Sequence, residues 1–182
     1  MNIQTKDLII RKMKPSDAQD FFQYRSLPEV CALQWYSPYD MSKCEEFCKE
    51  QEQKHFPVSW QWIQFGIELR SEGKLIGDIW LCTQSYDDRI VELGITLNPE
   101  YQKKWYAKQA LLALFQTLFT DYKIHRIVAI TSQENTPSIK LLENVGMMRE
   151  GTTRQSFWNK GKRHDEFLYA ILKEDIKHEI SG

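Results

Sequence analysis

No long apolar run occurs in this chain. None of its 182 residues belongs to a stretch approaching the roughly 18 apolar residues of a membrane span, and the start Met-Asn-Ile-Gln-Thr-Lys-Asp carries no apolar segment behind a basic one. Neither membrane insertion nor secretion is expected, which places the protein in the cytoplasm. An excess of charge is missing too. With 24 Lys and Arg against 25 Asp and Glu, the net charge is -1, and the basic field that nucleic acid binding requires is absent. Four cysteines are too few for a disulfide framework at this length, so free thiols are expected. Cys44, Cys48 and His55 come nearest to a metal-ligand set, but no second close pair follows them, and no metal is expected. Repeats, low-complexity tracts and Gly/Ser linkers are lacking as well, which argues for a single domain over residues 1–182.

What is present is a core-building composition: 42% hydrophobic and 13% aromatic residues, enough for one substantial core and too little for two. The order of elements follows from periodicity. Asp7 to Lys12 reads as a strand, and Pro15-Ser16-Asp17 opens a helix carrying Phe21, Phe22 and Tyr24. A loop rich in aromatics, Gln34 to Tyr39, leads to a second helix starting near Ser42, with Glu45 three residues on as a capping box. Trp60 to Arg70 is an imperfectly alternating strand whose phase slips between Trp62 and Phe65, predicting a bulge there. Lys74 to Thr83 and Arg89 to Leu97 continue it as an antiparallel meander. Tyr101 to Tyr122 has apolar residues at spacings of three and four and predicts a long helix with one buried stripe. Arg126 to Thr131 reads as a buried strand, Pro137 to Gly146 as a helix, Met147 to Thr152 and His164 to Leu172 as strands, and Lys173 to Ile180 as a short helix. The resulting class is α+β with a mixed sheet.

Two stretches carry more than fold. The first is the strand Val91 to Leu97, then Asn98-Pro99-Glu100-Tyr101-Gln102, then Tyr106-Ala107-Lys108-Gln109-Ala110-Leu111; the second runs from Asn135-Thr136-Pro137-Ser138 to Gly146-Met147. With the order of elements, they resemble the GNAT acyltransferase superfamily, and within it the branch of ribosomal-protein N-terminal acetyltransferases and spermidine acetyltransferases. The resemblance covers almost the whole chain. It implies a central mixed, mostly antiparallel sheet with helices on both faces, and an N-acetyltransferase using acetyl-CoA as cosubstrate. In the family the first stretch ends in a turn whose backbone amides hold the CoA pyrophosphate, as a helix N-terminus does for anions generally. By resemblance that turn is Gln102, Lys103, Lys104, Trp105, Tyr106 and Ala107. Gln102 and Ala107 match the family pattern, whereas Lys103 and Trp105 stand where relatives carry Gly. At a first helical turn, ordinary helical angles are expected to suffice for Trp105, with the indole pointing away from the ligand.

The resemblance also distributes the chemistry. Ile95, Thr96 and Leu97 would grip the pantetheine arm through backbone groups freed where the strand splays from its neighbour, the Leu97 amide polarising the thioester carbonyl. Asn135 matches a family residue at the pantetheine, and is equally suited to a helix N-cap. Glu92, a carboxylate in an otherwise apolar strand, is the candidate general base, against the alternative of a merely exposed strand position. A Tyr acid common in the superfamily is replaced by Leu142; Ser138, three residues after Asn135, is the candidate acid, or else a hydroxyl supporting the helix start. Acceptor binding is expected at Trp35, Tyr36, Tyr39, Trp60, Trp62 and Trp80, with Glu45, Glu46, Glu50 and Glu52 nearby in sequence. The acceptor expected is either a small amine, such as a polyamine or amino sugar, or a protein N-terminus, and the sequence does not choose between them. A second reading is a GNAT-fold module that binds acyl-CoA or a partner protein without catalysis. Strand edges near the C-terminus suggest a homodimer.

Overall fold

The computed structural model describes residues 1–32, 34 and 36–178. Eight strands form one sheet: β1 (Asn2–Gln4), β2 (Leu8–Lys12), β3 (Ile63–Leu69), β4 (Lys74–Thr83), β5 (Ile90–Leu97), β6 (Arg126–Ser132), β7 (Met148–Asn159) and β8 (Lys162–Leu172). Their spatial order is β1-β2-β3-β4-β5-β6-β8-β7. Every neighbouring pair is antiparallel except β5 and β6, which run parallel. The four α-helices are α1 (Ala18–Arg25), α2 (Met41–Gln53), α3 (Tyr106–Thr120) and α4 (Thr136–Asn144). Among the described residues no helix is long and apolar enough to cross a membrane.

Alternation along the strands sends one set of side chains to each face of the sheet. Ile63, Phe65, Ile67 and Leu69 of β3, with Ile79, Leu81, Val91 and Leu93 of β4 and β5, meet the buried stripe of α3: Ala110, Leu111, Leu114, Phe115, Leu118 and Phe119. Leu142 of α4 joins that core. On the opposite face Met13 and Leu75 pack against Phe21 and Tyr24 of α1 and Cys44 and Cys48 of α2. Helices therefore cover both faces, as expected. Cys44 and Cys48 do share a helix face, but it points into this core, and burial pushes the thiols up to about 11 and about 12. Among the described residues no group of three or more His, Cys, Asp or Glu could hold a metal ion.

Several boundaries differ from expectation for physical reasons. Trp60 and Trp62 are not strand: β3 begins at Ile63 and then alternates in phase, so the apparent slip is simply the strand's start. The real irregularity lies between Ile67 and Glu68, where Gly77 and Leu75 are the partners and Ile76 of β4 is the extra residue. The cap of α2 is Asp40, whose carboxylate accepts from the Lys43 amide at 2.8 Å, rather than Ser42. The long helix begins at Tyr106, not Tyr101, because Pro99–Tyr101 forms a separate 3-10 turn. The C-terminal strands are longer than the sequence pattern suggested, joining as a hairpin at Lys160 and Gly161, both with positive φ. Pro15–Asp17 is a 3-10 turn ahead of α1, and Lys173–His178 is 3-10 rather than α; the rest of that expected element lies outside the described residues. The three-residue β1, buried only through Ile3, is too short for periodicity to reveal.

Candidate active site

The site is organised by the way β5 parts from β6. These strands pair only over Ile90, Val91 and Glu92, against Arg126, Ile127 and Val128. From Leu93 onward β5 keeps its partner β4, through Gly77 opposite Leu97, but among the described residues no strand pairs with its other edge. The Asn98 amide donates to the Ile76 carbonyl of β4 at 2.9 Å. Backbone polar groups alternate along an antiparallel edge, so those of Ile95 and Leu97 face the opening instead. The Leu97 carbonyl indeed accepts there, from Gln102 Nε2 at 3.1 Å.

A cavity of about 640 Å³ lies along this opening, bounded by Ile95, Leu97, the turn into α3 and the start of α4. Gln102, Lys103, Trp105, Tyr106, Ala107 and Ser138 line it, together with Lys108 and Lys140. Lys104 does not; its ammonium sits over the Tyr101 ring, 5.2 Å from the centroid. Asn135 is not at the wall either. Its side-chain oxygen accepts from the Ser138 amide at 3.2 Å and caps α4. Ser138 is thus exposed to the cavity by a turn that Asn135 fixes, while its amide is already bonded.

The turn at the start of α3 corrects the expected backbone. Trp105 adopts φ 66 and ψ -1, in the left-handed region, and Lys103 has φ 60. The conformation that Gly would adopt freely is therefore kept with side chains present, at a cost of about 1–2 kcal/mol per residue. Trp105 is among the residues lining the cavity and is 74% exposed, with the Lys108 ammonium 5.8 Å from its ring centroid. No side chain of the N-cap residue bonds the first turn of α3, and no acidic residue occupies it. Its leading amides thus meet the positive end of the helix dipole with Lys103 and Lys108 at hand, a combination that fits a diphosphate. The open edge of β5 and this uncapped turn are the features by which the residues present fit CoA.

A second cavity, of about 300 Å³, lies on the other face of the sheet, between α1, α2 and strands β3 to β5. Tyr36, Tyr39, Phe47, Trp62 and Trp80 supply its aromatic surface, and Arg25, Glu50, Gln51 and Lys54 its polar one. Of the acceptor residues expected from sequence, Trp35 lies outside the described residues, and Trp60 is exposed and away from the wall. The two cavities touch consecutive residues of one strand: Thr96 lines the smaller, Ile95 and Leu97 the larger. Trp80 lies directly over Gly94 of β5, where a Cβ would come within 2.3 Å of the indole nitrogen. Only glycine leaves room there.

Sequence reasoning missed the polar centre beneath the smaller cavity. Asp78 of β4 is fully buried and accepts from Tyr24 Oη at 2.6 Å, from Arg25 Nε at 3.2 Å, and also from Arg25 Nη2 and Gln64. Arg25 Nη1 donates onward to the Tyr36 hydroxyl. Burial alone would lower the Arg25 pKa, but Asp78 outweighs it and holds the guanidinium charged; burial and Asp78 together push the Tyr24 phenol well up. An Asp between Gly77 and Ile79 in a strand covered on both faces was the available signal, because such a charge must have a buried cation partner.

Glu92 lies on the same face as Thr96, two pleats away, and lines neither cavity. It accepts from Gln84 Nε2 at 3.3 Å. Burial, and secondarily the charge of Glu166, raises its pKa despite that bond.

A strand opened at mid-length, an uncapped helix start beside it and a cavity on either face together make up the candidate site. The chain belongs to the GNAT acetyltransferases: the family model described as "Acetyltransferase (GNAT) domain" matches residues 7–148. It is similar to an uncharacterized N-acetyltransferase, YnaD, of Bacillus subtilis, at 33% identity over 96% of this chain and 99% of that one. A GNAT acetyltransferase from Bacillus anthracis superposes with a TM-score of 0.86 at 30% identity, covering 96% and 99% of the two chains. Spermidine N-acetyltransferase from Vibrio cholerae, solved with CoA and spermine, shares the fold at a TM-score of 0.78 and 22% identity, with 94% and 98% covered. Members of the family use acyl-CoA, and this chain is an N-acetyltransferase.

Proposed function

We propose that the protein transfers the acetyl group of acetyl-CoA to a primary amine, with the cofactor in the larger cavity and the amine in the smaller. The observation that carries this reading is that consecutive residues of β5 face the two cavities, so that an amine beside Thr96 needs only to cross the open strand edge to reach a carbonyl held at Ile95 and Leu97. Bound there, acetyl-CoA supplies an activated acyl group and a thiolate leaving group. The Leu97 amide donates to the carbonyl oxygen as negative charge develops on it. Gln102 holds the Leu97 peptide from its carbonyl side and so fixes the direction of that amide. The amides of Tyr106, Ala107 and Lys108 bind the diphosphate, with Lys103 adding charge, and Lys104 contributes to the field from further out. The Ser138 hydroxyl gives the departing thiolate a proton, and Asn135 sets its place.

Glu92 is the base in this scheme. Lying off the wall, it takes the proton through water, and its raised pKa suits a group that must be ionised and yet basic. Its sign is testable. The charged form is disfavoured by the fold, so Glu92 adds stability below the unfolded carboxylate range that is lost as pH rises through the folded pKa. Catalysis has the opposite sense: kcat/KM rises with pH as Glu92 ionises. Glu92→Gln should lower kcat about 10²-fold or more and remove the acidic limb of the pH profile. Thiol release measured between pH 5 and 9 checks this, and an unchanged limb in the variant would move the base elsewhere.

A further inference from the structure

The smaller cavity carries more than a location. Its charges are already matched. Asp78, the carboxylate nearest its floor, has both oxygens occupied by Tyr24, Arg25 and Gln64 and is closed to solvent. Glu50, the carboxylate at its wall, is bridged by Lys54 at 2.6 Å. Lys54 in turn donates to the Trp62 carbonyl at 3.2 Å, which holds the ammonium at the cavity. The wall thus presents the cations Arg25 and Lys54 with no uncommitted carboxylate among the described residues. A molecule with several ammonium groups would find no free counter-ion there and would have to compete with Arg25 and Lys54 for the carboxylates they already hold.

The uncharged wall is aromatic. Trp62 and Trp80 lie with ring centroids 4.3 Å apart, and Trp62 remains 48% exposed although its partner is half-buried. An indole held by one ring and open on the other side is a platform for a flat apolar group. The volume, about 300 Å³, is at the small end of the range for small-molecule sites, which suits one ring and a short arm.

We infer that the acceptor is a monoamine on an aromatic body, an arylalkylamine, rather than a polyamine; this rests on the reading of the smaller cavity as the acceptor site. The amine nitrogen, deprotonated and beside Thr96, forms the new C–N bond at the thioester carbonyl held at Ile95 and Leu97, the C–S bond breaks, the nitrogen's proton leaves through water towards Glu92, and the thiolate takes a proton from Ser138, which solvent water replaces. The ring stays against Trp62.

The test is thiol release at saturating acetyl-CoA with phenethylamine, spermidine and a Ser-led peptide, with CoA affinity measured separately by calorimetry. Phenethylamine should exceed spermidine and the peptide at least tenfold in kcat/KM. Trp62→Ala should cut the phenethylamine value at least tenfold, chiefly through KM, with CoA affinity within twofold. Lys54→Glu, which leaves carboxylates without a partner, should raise the spermidine value at least threefold. Preference for spermidine or the peptide in the unmodified protein overturns the inference, as does a Trp62→Ala variant with unchanged KM. CoA binding without transfer to any of the amines overturns it while sparing the cofactor site. Failure to bind CoA removes the acetyltransfer reading itself.

Discussion

The two sides of β5 are built on different principles. On the α3 side, the groups that the proposed scheme uses are mainly backbone: amides at Ile95 and Leu97 and the leading amides of α3, with the Ser138 hydroxyl beside them. On the α1 and α2 side they are side chains: a ring wall over a buried ion pair. A backbone site tolerates side-chain substitution, because the groups it uses are common to every residue. A side-chain site has no such tolerance, because each group in it answers to a specific partner. Even within the cofactor side the same contrast recurs at two neighbouring helix starts, since α4 is closed by Asn135 and α3 is left open.

That contrast can be broken most severely on the side-chain face. Arg25→Met should destabilise the fold by about 3–5 kcal/mol, because it strands Asp78 in the core without a charge partner; denaturant unfolding would measure it. On the backbone face an acid is the better tool. Lys108→Glu puts a carboxylate among the free amides of α3, stabilising the helix by about 0.3–1 kcal/mol while competing with the diphosphate. CoA affinity should fall tenfold or more by calorimetry with the melting temperature unchanged or higher. The converse substitution, Asn135→Ala, opens the closed helix start and should cost about 1 kcal/mol of stability, read from thermal melts, with a smaller change in CoA affinity than Lys108→Glu. Smallest is Trp105→Gly, which releases a left-handed residue: a gain of up to about 1 kcal/mol is expected, reduced by glycine's entropy in the unfolded chain. A loss of stability would mean that the indole supports the turn more than its exposure suggests.

How much was legible in the sequence follows the same division. The strand and helix order was readable because α3 and the central strands carry clean periodicities, and the turn because its position between them survives changes in its residues. Its backbone was not readable: the first-turn position of Trp105 argued for helical angles, yet the turn's course into α3 demands φ 66. Trp60 and Trp62 looked like strand because bulky rings mimic β alternation, although their place is decided by the chain's approach to β3. The Asp78 centre was hidden for another reason. Its partners Tyr24, Arg25 and Gln64 come from two other elements, and no local pattern joins them. Short β1 left too few residues to show a period.

The alternation of Ile95, Thr96 and Leu97 between two cavities makes the pleat of β5 a matter of phase. Insert or delete one residue between Ile90 and Leu97 and every side chain beyond the change moves to the opposite face. On the proposed assignment of the two cavities, the thioester and the amine would then each meet the surface that serves the other. Lengths of loops on either side are free to drift, but the count of residues along this one strand is not.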